Sequence, residues 1–199
     1  MTHTYKTLAS TGNSLYKSKA SKFWGFAIPA ESKEAIENWL QTLHKSYPDA
    51  THICYAWILE EDGKTFKAND DGEPAHSAGT PILNAIRSLH LSYVAVAVVR
   101  YYGGSKLGIP GLIEAYGQAA ALALQEAGII EKTPQAVLHL RYPYTLVSTV
   151  ERILHPFSGS EINQVYTEDI QKTISFPKYQ IPEIQAKLTE AQIENWKDK

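Results

Sequence analysis

A glycine-rich segment at positions 100–112 carries residue types that recognise phosphate. It holds two cations and four glycines, namely Arg100, Lys106, Gly103, Gly104, Gly108 and Gly111. Glycine lets a backbone approach a ligand closely, while Arg and Lys supply bidentate and point-charge contacts to phosphate oxygens. A helix is predicted to begin near Pro110, which adds free N–H groups and the positive end of a helix dipole. Phosphate or a phosphodiester is the favoured ligand, although glycines before a helix are equally typical of a plain strand-to-helix turn.

Two aromatic residues, Tyr101 and Tyr102, stand beside these glycines. Proteins that bind single-stranded nucleic acid stack unpaired bases on aromatic rings within cationic grooves. We expect one of the two rings to be available for this and the other to pack into the core. The segment matches neither GxxxxGK(S/T) nor GxGxxG, which argues against a nucleotide hydrolase. Ser77 and Ser105 lie in neither a GxSxG nor an SxxK pattern, so the sequence predicts no catalytic residue.

An acidic turn precedes the glycine segment along the chain and consists of Asp70, Asp71, Gly72, Glu73 and Pro74. Its carboxylates could hold a hard cation or act as general bases. They suit equally a solvated turn or a contact with the dipole at a helix N-terminus. No second ligand cluster accompanies them, and the single cysteine has no thiol partner. We therefore predict that the protein needs no metal and no cofactor.

The charges are distributed unevenly along the chain. Residues 1–30 hold four lysines and no acid, whereas residues 31–74 hold ten acids against four bases. Between residues 75 and 113 the only charges are Arg87, Arg100 and Lys106. A glycine-rich centre that is purely cationic favours an anionic partner, even though the formal net charge of the whole chain is −2.

The predicted strands and helices bring the two candidate segments together. Buried strands are predicted at 51–59 and 93–99, where apolar residues run almost without interruption. Thr80 as N-cap and Pro81 as first residue predict a helix directly after the acidic turn. A second helix, from about Pro110 to Ala127, follows the glycines. Because both segments lie at a strand end beside a helix N-terminus, we expect them to be adjacent in the folded domain.

The pattern predicts two domains of the α+β class. After Pro134 the alternation restarts as strand, helix, strand, strand and helix, which places a boundary between residues 1–133 and 134–199. With 199 residues, 44% of them apolar, the chain can fill two small cores. It contains no uncharged apolar run of about 18 residues and no secretion signal. A cytoplasmic protein without membrane association is the expectation.

Five segments together resemble the YigZ/Impact family: SKF at 21–23, DATHICYAW at 49–57, DDGEP at 70–74, AGTPIL at 78–83 and RYYGGSKLGIPGLIEAY at 100–116. The resemblance implies an N-terminal β/α domain similar to domain four of elongation factor G and to GHMP kinases. It also implies a small ferredoxin-like C-terminal domain, similar to domain five of that factor. Two positions depart from the family pattern: Ile109–Pro110 replaces a small residue and glycine, and His76–Ser77 replaces Gly-Thr.

The leading functional hypothesis is a non-catalytic regulatory protein that binds RNA or the ribosome and acts in translation. Arg100, Lys106 and the glycines would contact phosphates, while the acidic turn orients that loop. Because Arg100 ends a buried strand, it could instead pair with Asp70 or Asp71 and fix the two loops. Impact-type proteins of eukaryotes resemble this chain in the core domain and act on stress-kinase signalling to translation initiation. A protein partner in translation control is therefore also expected. The alternatives are an enzyme acting on a phosphorylated small molecule and a protein-interaction module.

Overall fold

The computed structural model describes residues 4–196, and these form two compact units, Tyr5–Lys132 and the chain from Thr133 onward. The first unit comprises, in chain order, β1 (Tyr5–Leu8), β2 (Gly12–Ser18), β3 (Ser21–Pro29), α1 (Lys33–Ser46), β4 (His52–Leu59), β5 (Thr65–Asn69), α2 (Gly79–Ser88), β6 (Val94–Tyr101), α3 (Gly108–Ala127) and β7 (Ile129–Lys132). The second comprises β8 (Gln135–Tyr142), α4 (Val147–Leu154), β9 (Ser160–Tyr166), β10 (Ile170–Pro177), α5 (Ile181–Glu190) and β11 (Glu194–Trp196), with 3-10 turns at Tyr144–Leu146 and Lys178–Gln180. Helices thus combine with antiparallel sheets, as the α+β class predicts.

A five-stranded antiparallel sheet in the order β2-β3-β6-β4-β5 is the centre of the first unit. The helices α2 and α3 cover one face, and α1 covers the other. The alternation along β4 follows from this, since Cys54, Ala56 and Ile58 face α2 and α3 while Ile53 and Trp57 face α1. The middle strand, β6, is buried on both faces from Val94 to Arg100, which explains its continuous run of apolar residues.

Strand direction places the two candidate segments at the same end of the strands of this sheet, which we call its edge. Because each strand is antiparallel to its neighbours, β5 and β6 both end at the side where β3 and β4 begin. The acidic turn leaves β5 there, and the glycine segment leaves β6 there. The β2–β3 turn lies at this edge as well. Residues from four parts of the sequence can therefore contribute to one surface.

The predicted helix starts require correction. The helix α2 begins at Gly79 with Ala78 as its N-cap residue, so the prediction that Thr80 is the N-cap is wrong. The reason is that the capping carboxylate comes from a residue several positions upstream, as described below. The helix α3 begins at Gly108, two residues before the predicted start. The short strands β1, β2 and β7 have no counterpart among the predicted elements.

The second unit has a four-stranded antiparallel sheet in the order β11-β8-β10-β9. Its apolar residues form a cluster of their own, in which Leu138, Val150 and Ile174 are buried and Leu146 packs against them. The predicted succession of strand, helix, strand, strand and helix is present, and β11 follows as an additional strand. Across residues 4–196, no helix has both the length and the apolar character needed to cross a bilayer.

Candidate functional site

Asp70 closes the N-terminus of α2. Its Oδ1 accepts hydrogen bonds from the backbone N–H groups of Ala78 (3.0 Å) and Gly79 (2.8 Å). Its Oδ2 accepts one from the N–H of His76 (2.9 Å). Burial disfavours the charged form, but these three hydrogen bonds hold the pKa of the Asp70 carboxyl below its usual value. Of the roles considered for the acidic turn, contact with a helix N-terminus is the one that Asp70 performs.

Asp71 fastens the same turn to the start of β4. Its Oδ2 accepts a hydrogen bond from the N–H of Ile53 (2.6 Å), and its carbonyl oxygen lies 2.6 Å from Nδ1 of His52. Asp71 and Gly72 both adopt left-handed backbone angles, with φ of 44° and 83°. The carbonyl of Pro74 accepts from both the N–H and the hydroxyl of Ser77. The turn is therefore fixed by hydrogen bonds to β4, to the start of α2 and within itself.

A buried ion pair joins the acidic turn to the glycine segment. Oε1 of Glu73 lies 2.5 Å from Nη1 of Arg100, and the two side chains are only 4% and 7% exposed. The hydroxyl of Tyr116 donates to the same carboxylate oxygen over 2.7 Å. Burial raises the pKa of Tyr116, and the neighbouring Cys54 and Glu73 raise it further, so the hydroxyl stays protonated. The prediction that the two segments are adjacent is confirmed by this contact.

The place of Arg100 corrects its predicted role as a phosphate ligand. Its guanidinium carbon lies 5.5 Å from the ring centre of Phe23 and 5.4 Å from that of Tyr102, beneath the surface. A guanidinium that is buried and already paired with a carboxylate is not available to an external anion. Arg100 instead fixes the end of β6 against the acidic turn. Within residues 4–196 its Nε has no hydrogen-bond partner.

The glycine loop lies against the turn that connects β2 and β3. The N–H of Tyr102 donates to Oγ1 of Thr51 (3.0 Å), and the N–H of Gly103 donates to Oγ of Ser21 (3.1 Å). A Cβ atom on Gly103 would lie 2.0 Å from the carbonyl carbon of Ala20. Gly103 is therefore required for close packing of two backbone segments. Gly104 has a φ of 84°, and a Cβ atom there would meet no other atom within 4 Å, so it is the open glycine of the loop.

The start of α3 is exposed and has no cap. Its N-cap residue, Leu107, makes no side-chain hydrogen bond to the helix, and the first turn contains no acid. Gly108 opens the helix with φ of 73°, and Gly111 already lies within it. Because Pro110 has no N–H, the donors without an intrahelical partner are those of Leu107, Gly108 and Ile109. These N–H groups lie at an exposed helix start that no side chain of the described residues caps.

Four lysines at this end of the strands define what we call the cationic edge: Lys19 and Lys106 beside the start of α3, and Lys17 and Lys22 near the turn between β2 and β3. Nζ of Lys19 donates to the carbonyl of Lys106 over 2.8 Å, which joins the β2–β3 turn to the loop. Lys22 lies directly opposite Lys17 on β2 and opposite Tyr101 on β6. Among the described residues, none of the four ammonium groups forms an ion pair. The acid-free N-terminal run indicated Lys17, Lys19 and Lys22, but not that Lys19 contacts the glycine loop.

The two tyrosines of the segment differ in exposure as expected. Tyr101 ends β6 and packs at the margin of the cluster beneath α1, whereas Tyr102 is 45% exposed. On the face of the sheet that α2 and α3 cover, Cys54 is fully buried and its thiol donates to the carbonyl of Asp70. Within the part of the chain that the structure describes, no three His, Cys, Asp or Glu side chains are grouped so as to hold a metal ion.

Comparisons with known proteins cover both candidate segments. The family model described as the Impact N-terminal domain matches residues 19–124. The IMPACT family member YigZ of Escherichia coli (strain K12) is 32% identical over 174 residues, which cover 86% of this chain and 85% of that protein. The IMPACT family member YvyE of Bacillus subtilis (strain 168) is 32% identical over 173 residues, covering 86% and 79%. The crystal structure of a hypothetical protein is similar over 100% of this chain and 99% of its own, with 27% identity and a TM-score of 0.73.

Proposed function

We propose that this chain, which belongs to the Impact family, is a non-catalytic regulator of translation that binds RNA, free or within the ribosome, at its cationic edge. Lys19, Lys22 and Lys106 contact phosphate groups, and the free N–H groups at the start of α3 bind a further phosphate oxygen. RNA binding in translation also implies action in the cytoplasm. Arg100 is no longer among the contacts, because it is buried and paired with Glu73.

The observation that carries this proposal is the uncapped start of α3 beside two exposed lysines. Orphan N–H groups at a helix start attract anions, and the attraction is strongest where no carboxylate of the protein competes. The nearest carboxylates of the acidic turn are already engaged, since Asp70 caps α2 and Glu73 pairs with Arg100. The edge therefore keeps its positive charge although the whole chain is slightly acidic.

The experiment compares two lysine variants in their binding to a fluorescent single-stranded RNA of about 12 nucleotides, a length within the usual range for such sites. Lys106→Ala removes a cation of the edge. Lys132→Ala removes an equally exposed lysine from β7 and serves as the matched control. We expect Lys106→Ala to weaken binding and to reduce the slope of log affinity against log salt concentration by about 0.7 to 1. The control should leave both quantities unchanged.

Two outcomes would contradict the proposal. If the parent protein binds neither this RNA nor purified ribosomal RNA, the chain is not an RNA-binding protein and a polypeptide partner becomes the better hypothesis. If the parent binds but both lysine variants behave alike, RNA is bound at another surface. Circular dichroism of each variant confirms the fold, which an exposed lysine should hardly affect.

The second unit supports a finer assignment of the fold. We propose that it is ferredoxin-like, since its order of strand, helix, strand, strand, helix and strand builds an antiparallel sheet with β8 and β10 in the middle.

We also propose that each unit folds around its own core and that the first resembles domain four of elongation factor G. Limited proteolysis should then release stable fragments by cleavage within 128–136, a range that contains the connection between β7 and β8 at Thr133 and Pro134. Cleavage elsewhere without stable fragments would contradict independent folding.

A further inference from the structure

A cavity of about 470 Å³ adjoins the cationic edge on the face of the sheet that α1 covers. Its lining residues all belong to the first unit and are Ala20, Lys22, Trp24, Tyr47, Tyr101 and Tyr102. It exists because α1 ends at Ser46, so the helix no longer covers the sheet beyond that point. Strand register places Lys22 opposite Tyr101, and Trp24 lies two residues further along the same face.

The lining has an unusual composition for an uncovered patch, because four of its six residues are aromatic. Within residues 4–196, the hydroxyl groups of Tyr47, Tyr101 and Tyr102 have no side-chain hydrogen-bond partner. The rings therefore offer flat apolar faces together with free polar groups. Lys22 is the one charged residue of the lining, and no carboxylate contributes to it. This combination suits an aromatic, polar-edged ligand that carries negative charge nearby.

Tyr102 is held in place for such a ligand. Its ring lies over the Arg100 guanidinium, 5.4 Å from the guanidinium carbon to the ring centre, and 45% of the residue remains exposed. Arg100 is itself fixed by the buried contact with Glu73. One side of the ring is thus supported by the protein, which lowers the conformational entropy lost when a ligand stacks on the other side.

We propose that this cavity receives an unpaired nucleobase of a single-stranded RNA whose phosphates lie on the cationic edge. The inference rests on the proposed function and adds to it a recognition site for the base. Lys22 belongs to both the cavity and the edge, so one strand can reach both without a gap. The volume lies within the range of about 300–1,000 Å³ that is usual for small-molecule sites. Every base has a π-face, so the site should accept different sequences.

The test uses two oligomers of about 12 units, one of oligouridylate and one with the same sugar-phosphate backbone but no bases. Tyr102→Ala removes the exposed ring. Phe66→Ala is the matched control, since Phe66 is 46% exposed in the same unit and also lies over an arginine, Arg87. We expect Tyr102→Ala to weaken oligouridylate binding about 5- to 100-fold and to leave binding of the abasic oligomer unchanged. Tyr102→Phe should restore binding of oligouridylate, and Phe66→Ala should match the parent.

A second measurement follows Trp24, whose fluorescence should be quenched by oligouridylate and not by the abasic oligomer. This quenching should disappear in Trp24→Phe. Because it is measured on the parent protein, the quenching tests base binding in the cavity even if Tyr102→Ala fails to fold. If the parent binds both oligomers equally and Trp24 is not quenched, the base site is wrong while phosphate binding at the edge stands. If the parent binds neither oligomer, the proposed function and the base site fail together. Equal losses in Tyr102→Ala and Phe66→Ala would also overturn the base site.

Discussion

The N-termini of α2 and α3 lie at the same edge of the sheet and satisfy their free N–H groups in different ways. At α2, Asp70 accepts hydrogen bonds from Ala78 and Gly79 and thereby fills the helix start with a carboxylate of the chain itself. At α3 no side chain of the described residues caps the helix, and Lys106 directly precedes the N-cap residue Leu107. The same physical requirement is thus met by a carboxylate of the chain at α2, whereas no side chain of the described residues meets it at α3.

This difference assigns separate roles to the two segments that the sequence singled out. The acidic turn is structural, because each of its carboxylates is engaged within the protein: Asp70 with α2, Asp71 with β4 and Glu73 with Arg100. The glycine segment presents the open helix start and the cationic edge. The Glu73–Arg100 pair links the acidic turn to the glycine segment. The segment that caps α2 therefore also helps to hold the segment that precedes α3 in position.

The largest effect is expected when this link is broken by Glu73→Gln. The Arg100 charge would stay buried, with a neutral amide in place of its counterion, and removing one partner of a buried pair typically costs about 3–5 kcal/mol. Denaturant unfolding measures the loss. Glu114→Gln, at an exposed position of the same unit, is the control and should change the free energy of unfolding by less than about 0.5 kcal/mol. Equal effects of the two substitutions would show that the buried pair does not stabilise the fold.

An intermediate effect is expected from Asp70→Ala, which removes the cap of α2 and should cost about 1–2 kcal/mol. The pKa of Asp70 is lower in the folded chain than in the unfolded chain. Its contribution is therefore complete above the unfolded pKa of about 3.9 and is lost as the pH falls through the folded pKa. Unfolding measured from neutral to acid pH should show parent and variant converging at the acid end. A constant difference at all pH values would contradict a role for the ionised carboxylate.

The sequence predicted the buried strands, because apolar runs mark them directly. It also predicted the proximity of the two segments, because each lies between the end of a strand and the start of a helix. It could not predict the cap of α2, because the Asp70 carboxylate accepts hydrogen bonds from N–H groups eight and nine residues further along the chain. Sequence rules look for a capping residue directly before the helix. A pairing of Arg100 with the acidic turn could be anticipated, but with Asp70 or Asp71 and not with Glu73, because a cation at a strand end gives no sign of which carboxylate it will meet. The cationic edge depends on β2, a polar edge strand without the alternation of apolar residues that reveals a strand.

A smaller effect on stability, but a clear one on binding, is expected when α3 is made to resemble α2. Ile109→Glu introduces a carboxylate into the first turn of α3, at a position that is 53% exposed. A negative charge there should stabilise the helix by about 0.3–1 kcal/mol and weaken the binding of RNA. Ile109→Gln has the same shape without the charge and is the control. If Ile109→Glu binds RNA as strongly as Ile109→Gln, the start of α3 is not part of the binding surface.

The smallest effect concerns His76, which adopts a left-handed φ of 63°. Its N–H is one of the three donors to Asp70, so the backbone angle is required by the cap. His76→Gly should raise the free energy of unfolding by about 1 kcal/mol, because it relieves backbone strain. It should also lower the free energy of unfolding by about 0.5–1 kcal/mol, because glycine gives the unfolded chain more conformational freedom. We expect a net stabilisation of no more than about 0.5 kcal/mol. His90→Gly, at a left-handed position with φ of 54° just beyond α2, is the matched control and should give a similar result. If His76→Gly is clearly less stable than His90→Gly, the histidine side chain, whose Nδ1 lies 3.2 Å from Oγ1 of Thr80, contributes to closing α2 in its own right.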